Sequence, residues 1–359
     1  MSALRVVRAA GPPLERGRTV GRALADLVDR SLAFYWRYLV RRGVEPAMLP
    51  GLLGPYLGAA ERELPDLVEV VTGMAEGAGV SFWELFYVNA FEELEPLLDG
   101  GALGSLTGGR RERCSTVTVR APGVTLLGHN EQWLAGDLGN VAVVVDVPDD
   151  GGAAVVSPTL ACCLPAVGLN GHRAAQGIQS LAAADDRVGV PRVLVSRHAL
   201  QAATPADALR RATLPGRAGG YGHSLAFAGG AVLTLETSAT RFALARGPGA
   251  HTNHYQDAEL ARLAPPPSPG SAGRLARLRE LLDERPPASP ADLVGVLADH
   301  RARPEAICAH PAAGAAGPRD EATAVVFSLI CDLEAGRLWV APGPPCTTAY
   351  EEVDLAGVV

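Results

Sequence analysis

The first residue whose type and placement could do chemistry is Cys114. It opens the stretch CSTVTV directly after DGGALGSLTGGRRER, residues 99–113, a connection rich in glycine and arginine. Such a composition predicts an exposed, flexible segment. A thiol at its end is placed to attack the preceding Arg113–Cys114 peptide bond. Rupture of that bond would free the α-amine of Cys114. An α-amine with a pKa of about 8 can take the proton of the thiol on its own residue, so no separate histidine is required. The plainer alternative is a buried strand cysteine acting as a small hydrophobe. The chain contains no lysine, all 32 basic side chains being arginine. That excludes Schiff-base chemistry, a phosphate-loop lysine and a Ser-Lys dyad.

Other polar residues fall at suggestive places. Asn130 lies in GHNEQW at the end of a returning strand, with Gln132 two residues on, and Asn253 lies in HTNHY. On an extended strand Glu131 and Gln132 point to opposite faces. Asp185 belongs to the loop Asp185-Asp186-Arg187, which reads either as a solvated loop, the plainer alternative, or as the border of an acyl pocket, and Arg319 closely precedes a strand. His251 and His254 are three residues apart with no carboxylate at ligand spacing, so no metal is expected there. His310 reads as a supporting residue. The six cysteines contain no C-x-x-C pair, which argues against a disulfide framework and against a structural zinc site.

Positioning these residues falls to two kinds of element. Before residue 100 the apolar spacing predicts helices at 18–41, 64–75 and 82–94. After it, strands dominate: 114–119 with 124–127, 141–147 with 153–156, a meander over 224–245, and 323–333 with 337–340. Helices are expected at 191–201, 205–212, 271–283 and 289–300. Strand pairs with helical blocks between them favour an antiparallel α+β architecture of two sheets sandwiched between helices. The net charge of −7 excludes a general nucleic-acid binder. No apolar run is long enough for a membrane span and the start lacks a signal-peptide core, so the expectation is a cytoplasmic protein.

Taken in order, several short stretches resemble the isopenicillin N acyltransferase family of autoproteolytic N-terminal nucleophile (Ntn) hydrolases, relatives of bile-salt hydrolases and penicillin V acylases. They are Asn89-Ala90, Cys114-Ser115-Thr116, Gly128-His129-Asn130, Ala166-Val167-Gly168-Leu169-Asn170 with Gly177, His251-Thr252-Asn253-His254, Ala322-Thr323, and Leu338 to Gly343. The ordered set spans nearly the whole chain. The resemblance implies a four-layer αββα sandwich formed jointly by a helical prosegment, 1–113, and a catalytic chain, 114–359, that stay associated after cleavage. It implies Cys114 as nucleophile and Asn253 as oxyanion-hole donor, and it associates Arg319 with substrate binding. Family members commonly carry an aspartate close to the nucleophile where this chain has Gln132, which cannot hold a proton or a full charge.

The resulting expectation is an enzyme that forms a Cys114 thioester from an amide or thioester donor. Water then gives hydrolysis, or an amine acceptor gives acyl transfer. Asn130, Gln132 and Asn253 stand beside the thiol in this reading, with Arg319, Asp185 and His251 toward the substrate. No cofactor, metal, nucleic acid or membrane partner is expected. The composition suggests a GC-rich bacterial source and a role in secondary metabolism. Two rivals remain: a processing-deficient structural or binding relative, which Gln132 favours, and an intact-chain Cys-His amidase.

Overall fold

The computed structural model describes residues 4–98, 114–301, 306–311 and 318–358. The chain starts with a short strand, β1 (Val6–Gly11), followed by α1 (Pro13–Val40), α2 (Leu49–Glu63), α3 (Pro65–Ala78), α4 (Phe82–Asn89) and α5 (Phe91–Leu98). The prosegment is therefore not purely helical. The single helix expected over 82–94 is broken at Ala90, which leaves helical geometry at φ −119°. Segments 49–63 and 174–181, assigned no element from sequence, are α2 and a strand. The second runs AAQGIQSL, with too little alternation of apolar and polar residues to register as half-buried.

The remaining strands are β2 (Ser115–Ala121), β3 (Val124–Leu134), β4 (Val141–Pro148), β5 (Val155–Leu160), β6 (Gly168–Asn170), β7 (Ala174–Leu181), β8 (Gly220–Phe227), β9 (Ala231–Thr237), β10 (Phe242–Arg246), β11 (Gly249–His251), β12 (Thr323–Asp332), β13 (Arg337–Ala341) and β14 (Glu351–Glu352). They form two sheets, in the orders β1-β4-β5-β6-β7-β8-β9-β10 and β11-β2-β3-β12-β13-β14. Every pairing within these sheets is antiparallel except that of β1 with β4, which joins the prosegment to the edge of the larger sheet.

The sheets stack through β2 and β3 against β7 and β8. Helices α6 (Arg192–Leu200) and α7 (Pro205–Ala212) cover the larger sheet, and α9 (Pro269–Glu284) and α10 (Pro290–Leu297) cover the smaller one. The result is the α+β sandwich of two sheets between helical layers. Among the described residues no helix is long and apolar enough to cross a membrane.

The N-terminal helices are built into the core. Phe34, Tyr35, Tyr87 and Phe91 share one apolar cluster with Trp133, Val143 and Leu169. Trp133 Nε1 donates to Tyr35 Oη at 2.7 Å, so the indole N–H keeps a partner when buried. α1 and α3 pack backbone to backbone at Gly17 and Gly73. A Cβ added at either would lie 2.1 Å from a carbonyl oxygen of the other helix. Asp146 on β4 sits between Arg16 of α1, at 2.7 Å, and Arg197 of α6, all three buried.

Candidate active site

Cys114 stands at the head of β2, 3% exposed, with a left-handed backbone at φ +72°. That region is uncommon for a residue with a Cβ and costs on the order of 1 kcal/mol or more. The rotation involved is the one adjoining the Arg113–Cys114 peptide. The thiol donates to Glu131 Oε1 at 3.2 Å. Burial first, then the charge of Glu131, pushes its pKa well above the ordinary thiol value, while the backbone N–H of Gln132 acts in the opposite sense. The thiol is therefore held protonated near neutrality, and attack requires a proton acceptor in contact with it.

β3 supplies that acceptor because of its register with β2. Ser115 pairs with Asn130 and Thr116 with His129, which turns residues 129, 131 and 133 into the space between the sheets. A fixed chain of contacts follows. Gln179 Nε2 donates to Thr116 Oγ1. Thr116 Oγ1 lies 2.8 Å from His129 Nδ1, and His129 Nε2 lies 3.0 Å from Glu131 Oε2. A hydroxyl that accepts from an amide N–H can pass its own hydrogen onward; with Nδ1 of His129 as the acceptor, Nε2 carries the ring hydrogen and donates to Glu131. The relay thus presents the free lone pairs of Glu131 to the thiol. It needs Gly177 on the facing strand, where a Cβ would come within 2.6 Å of Thr116 Oγ1 and 2.9 Å of His129 Nδ1.

The thiol opens on a cavity of about 60 Å³ whose lining includes Phe91, Glu92, Ile178, Tyr221 and Phe327. Glu92 comes from the prosegment and accepts from Ser180 Oγ. A second thiol, Cys163, reaches the same cavity, its pKa raised by burial. A larger groove of about 710 Å³ runs between Arg246 on β10 and Arg279 on α9, away from Cys114.

The remaining candidates fall at different distances from this centre. Gln132 was expected beside the thiol and is not: its side chain leaves the opposite face of β3, donating to the carbonyls of Ala306 and Ile307 at 3.2 and 3.0 Å and accepting from Arg274 at 2.7 Å. Glu131 takes the place beside Cys114 instead. The alternation of faces holds; which face looks inward is decided by the β2–β3 register. Asn130 is likewise turned away, donating to Leu297 and Ile307 carbonyls at 2.9 Å each and accepting from Ser328.

Asn253 is half-buried near the cavity wall. Its Nδ2 donates to the carbonyl of Ser180, a cavity residue, at 3.3 Å, and its Oδ1 accepts from Arg274 at 2.8 Å. One buried arginine therefore ties Asn253 to Gln132. His251 is buried at the end of β11 with Nε2 2.7 Å from Glu236 Oε1, outside the cavity lining. Asp185 differs from its expected pocket role: it accepts from Ser238 and from Thr240 and so closes the β9–β10 turn. Burial raises its carboxyl, and those hydrogen bonds outweigh it and leave it below its ordinary value. Arg319 is exposed on the turn whose neighbours Asp320 and Glu321 pair with Arg41 of α1, and it does not line the cavity either. The donor atoms of Cys114, His129 and Glu131 lie close enough together to hold an ion, but the hydrogen-bond relay already accounts for that convergence.

A sandwich of this layering, carrying a protonated thiol at the head of an inner strand, is the frame of the N-terminal nucleophile acyltransferases and amidohydrolases, enzymes that make or break amide bonds. The chain belongs to the family of acyl-coenzyme A:6-aminopenicillanic acid acyl-transferase, whose family model matches residues 119–338, more than half of its length. Among solved structures it is similar to penicillin V acylase from Agrobacterium tumefaciens, at 13% identity and a TM-score of 0.49 over 68% of this chain and 86% of that one. It is also similar to a variant of conjugated bile acid hydrolase from Clostridium perfringens, at 10% identity and a TM-score of 0.46 over 68% and 92%. No curated protein matches its sequence.

Proposed function

We propose that this protein matures by cutting its own chain before Cys114 and then works as an acyltransferase or amidohydrolase through a Cys114 thioester. The observation that carries the reading is the buried thiol donating to Glu131 from a strained, left-handed residue at the junction. In the first step Glu131 takes the thiol proton while Sγ attacks the carbonyl carbon of Arg113. Collapse, with Glu131 returning that proton to the leaving nitrogen, breaks the C–N bond and leaves an Arg113 thioester and a free α-amine on Cys114. Water then hydrolyses the thioester, releasing the thiol and a carboxylate on Arg113. In turnover the α-amine takes the thiol proton as Sγ attacks the carbonyl of a small-molecule donor, the donor's amine or thiol leaves with that proton as its bond to the acyl carbon breaks, and water or an amine then removes the acyl group from Sγ. Asn253 with a backbone N–H is assigned to the oxyanion. Such a donor contributes on the order of 10²- to 10³-fold in rate. The apolar cavity suits an acyl group, and its small volume requires it to widen for a long one.

A cytoplasmic role in bacterial secondary metabolism, with the two chains remaining together, belongs to the same proposal. The shared apolar core and the Arg16–Asp146 pair support their association. The deciding experiment is intact mass under denaturing conditions for the wild type and Cys114→Ala. Two wild-type fragments, 1–113 and 114–359, beside an uncut variant are expected. A wild type that stays whole would overturn self-cleavage and favour a processing-deficient binding relative. Turnover by a whole chain that is lost on substituting His129 would favour the Cys-His amidase.

A further inference from the structure

Remote from Cys114 along the chain, four metal-ligating side chains converge at the outer edge of the smaller sheet. His300 follows α10, Cys308 and His310 lie on the segment 306–311, and Cys346 sits on the turn after β13. One ligand atom from each falls within 4.8 Å of all the others. His310 Nε2 is the hub, at 3.1 Å from His300 Nε2, 3.6 Å from Cys308 Sγ and 3.1 Å from Cys346 Sγ. The rings of His300 and His310 lie face to face at 5.2 Å between centroids. A single imidazole nitrogen has one hydrogen or one lone pair, so it cannot serve three such neighbours as a hydrogen-bonding atom. Four donors around a tetrahedral zinc ion, at bond lengths of about 2.0 Å for nitrogen and 2.3 Å for sulfur, would lie roughly 3.3 to 3.8 Å from one another. The three distances to His310 are close to that, and the remaining pairs lie within 4.8 Å.

From this convergence we infer a structural Zn²⁺ site of Cys2His2 type, formed by His300, Cys308, His310 and Cys346. Two thiolates and two neutral imidazoles favour zinc over the harder divalent ions, and four protein ligands leave no open position for catalysis. Binding releases the two thiol protons to solvent. The site clips the segment carrying Ala306 and Ile307 to the C-terminal turn. The carbonyls of that segment accept from Asn130 and Gln132, and Gln132 is joined through Arg274 to Asn253. The clip therefore braces the outer face of β3, whose inner face presents Glu131 to the thiol.

The test is metal content of the purified full-length protein by plasma mass spectrometry, together with Co²⁺ uptake after chelation. Expected is one zinc per chain. Cobalt should give the visible and near-ultraviolet bands of a tetrahedral sulfur-ligated ion. Cys346→Ser, at an exposed position that should not impair folding, and His300→Ala should each lower zinc content at least several-fold and lower the melting temperature. Cys114→Ser should retain the metal in full. Wild-type protein that takes up neither zinc nor cobalt would overturn the site. So would a Cys308–Cys346 disulfide in freshly purified protein, or metal lost from Cys114→Ser and kept in Cys346→Ser.

Discussion

At the scale of single residues, the sharpest question concerns Glu131. Its carboxylate has two opposing effects on Cys114: it accepts the thiol proton, and its charge raises the thiol pKa. Glu131→Gln removes both. If proton acceptance governs self-cleavage, the variant cuts more slowly by about 10²-fold or more, with partial recovery in Glu131→Asp. If the supply of thiolate governs it, the variant cuts faster. The relay geometry predicts the slower outcome, and a time course of fragment appearance by gel or mass spectrometry decides. The same relay explains why a glutamine at 132 need not disable the chain. That side chain serves the outer face of β3, and the charge missing there is supplied one residue earlier on the inner face.

At the scale of elements, the N-terminal helices and the sheets that follow them are joined by charge as well as by apolar packing. Arg16 of α1 and Arg197 of α6 both contact Asp146 of β4, and Arg192 of α6 pairs with Glu93 of α5 at 2.9 Å. Removing the shared partner strands two buried guanidinium groups. Asp146→Asn is expected to destabilise the protein by about 3 to 5 kcal/mol, read as a lower urea midpoint. In a self-cleaved preparation it should also promote release of the 1–113 fragment, which size-exclusion chromatography would detect. Elements with strong helical period or clear turns were legible in the sequence, including α7, α9 and the β12–β13 hairpin. β1 was not, because a six-residue edge strand ahead of a long helix carries little pattern of its own. The Cys2His2 cluster was not legible either. Only Cys308 and His310 share a segment, His300 and Cys346 come from elsewhere in the chain, and no C-x-x-C spacing announces the set.

For the molecule as a whole, two histidines, His223 buried and His198 half-buried, set a pH dependence. Burial first, then Arg217, lowers the pKa of His223 to about 3, and burial first, then Arg211, lowers that of His198 to about 4. Unfolded, each would titrate at about 6.5. Between those values the unfolded state binds more protons than the folded one, so stability rises with pH there and is lost as pH falls below about 6.5. Each histidine contributes a slope of up to about 1.4 kcal/mol per pH unit within its window. Urea midpoints at a series of pH values should therefore fall less steeply on acidification in His223→Gln than in the wild type. Equal slopes would show that His223 already charges in the folded protein.

Read alone, the sequence determined the thiol directly after a glycine- and arginine-rich connection, the alternation of strands and helices, and hence the layered α+β class. These are local properties: residue type, spacing and period are written along the chain. Only the tertiary structure decided which face of β3 meets Cys114. Both faces of that strand are packed against other elements, the inner against β7 and β8 and the outer against α10, so the apolar and polar residues along it give no alternation that separates Glu131 from Gln132. The register with β2 and the space left by Gly177 on the facing strand settle it, and both are long-range facts. The same holds for Asp185 and Arg319, which the fold spends on a turn and on the surface, and for the gathering of His300, Cys308, His310 and Cys346, which no local spacing encodes.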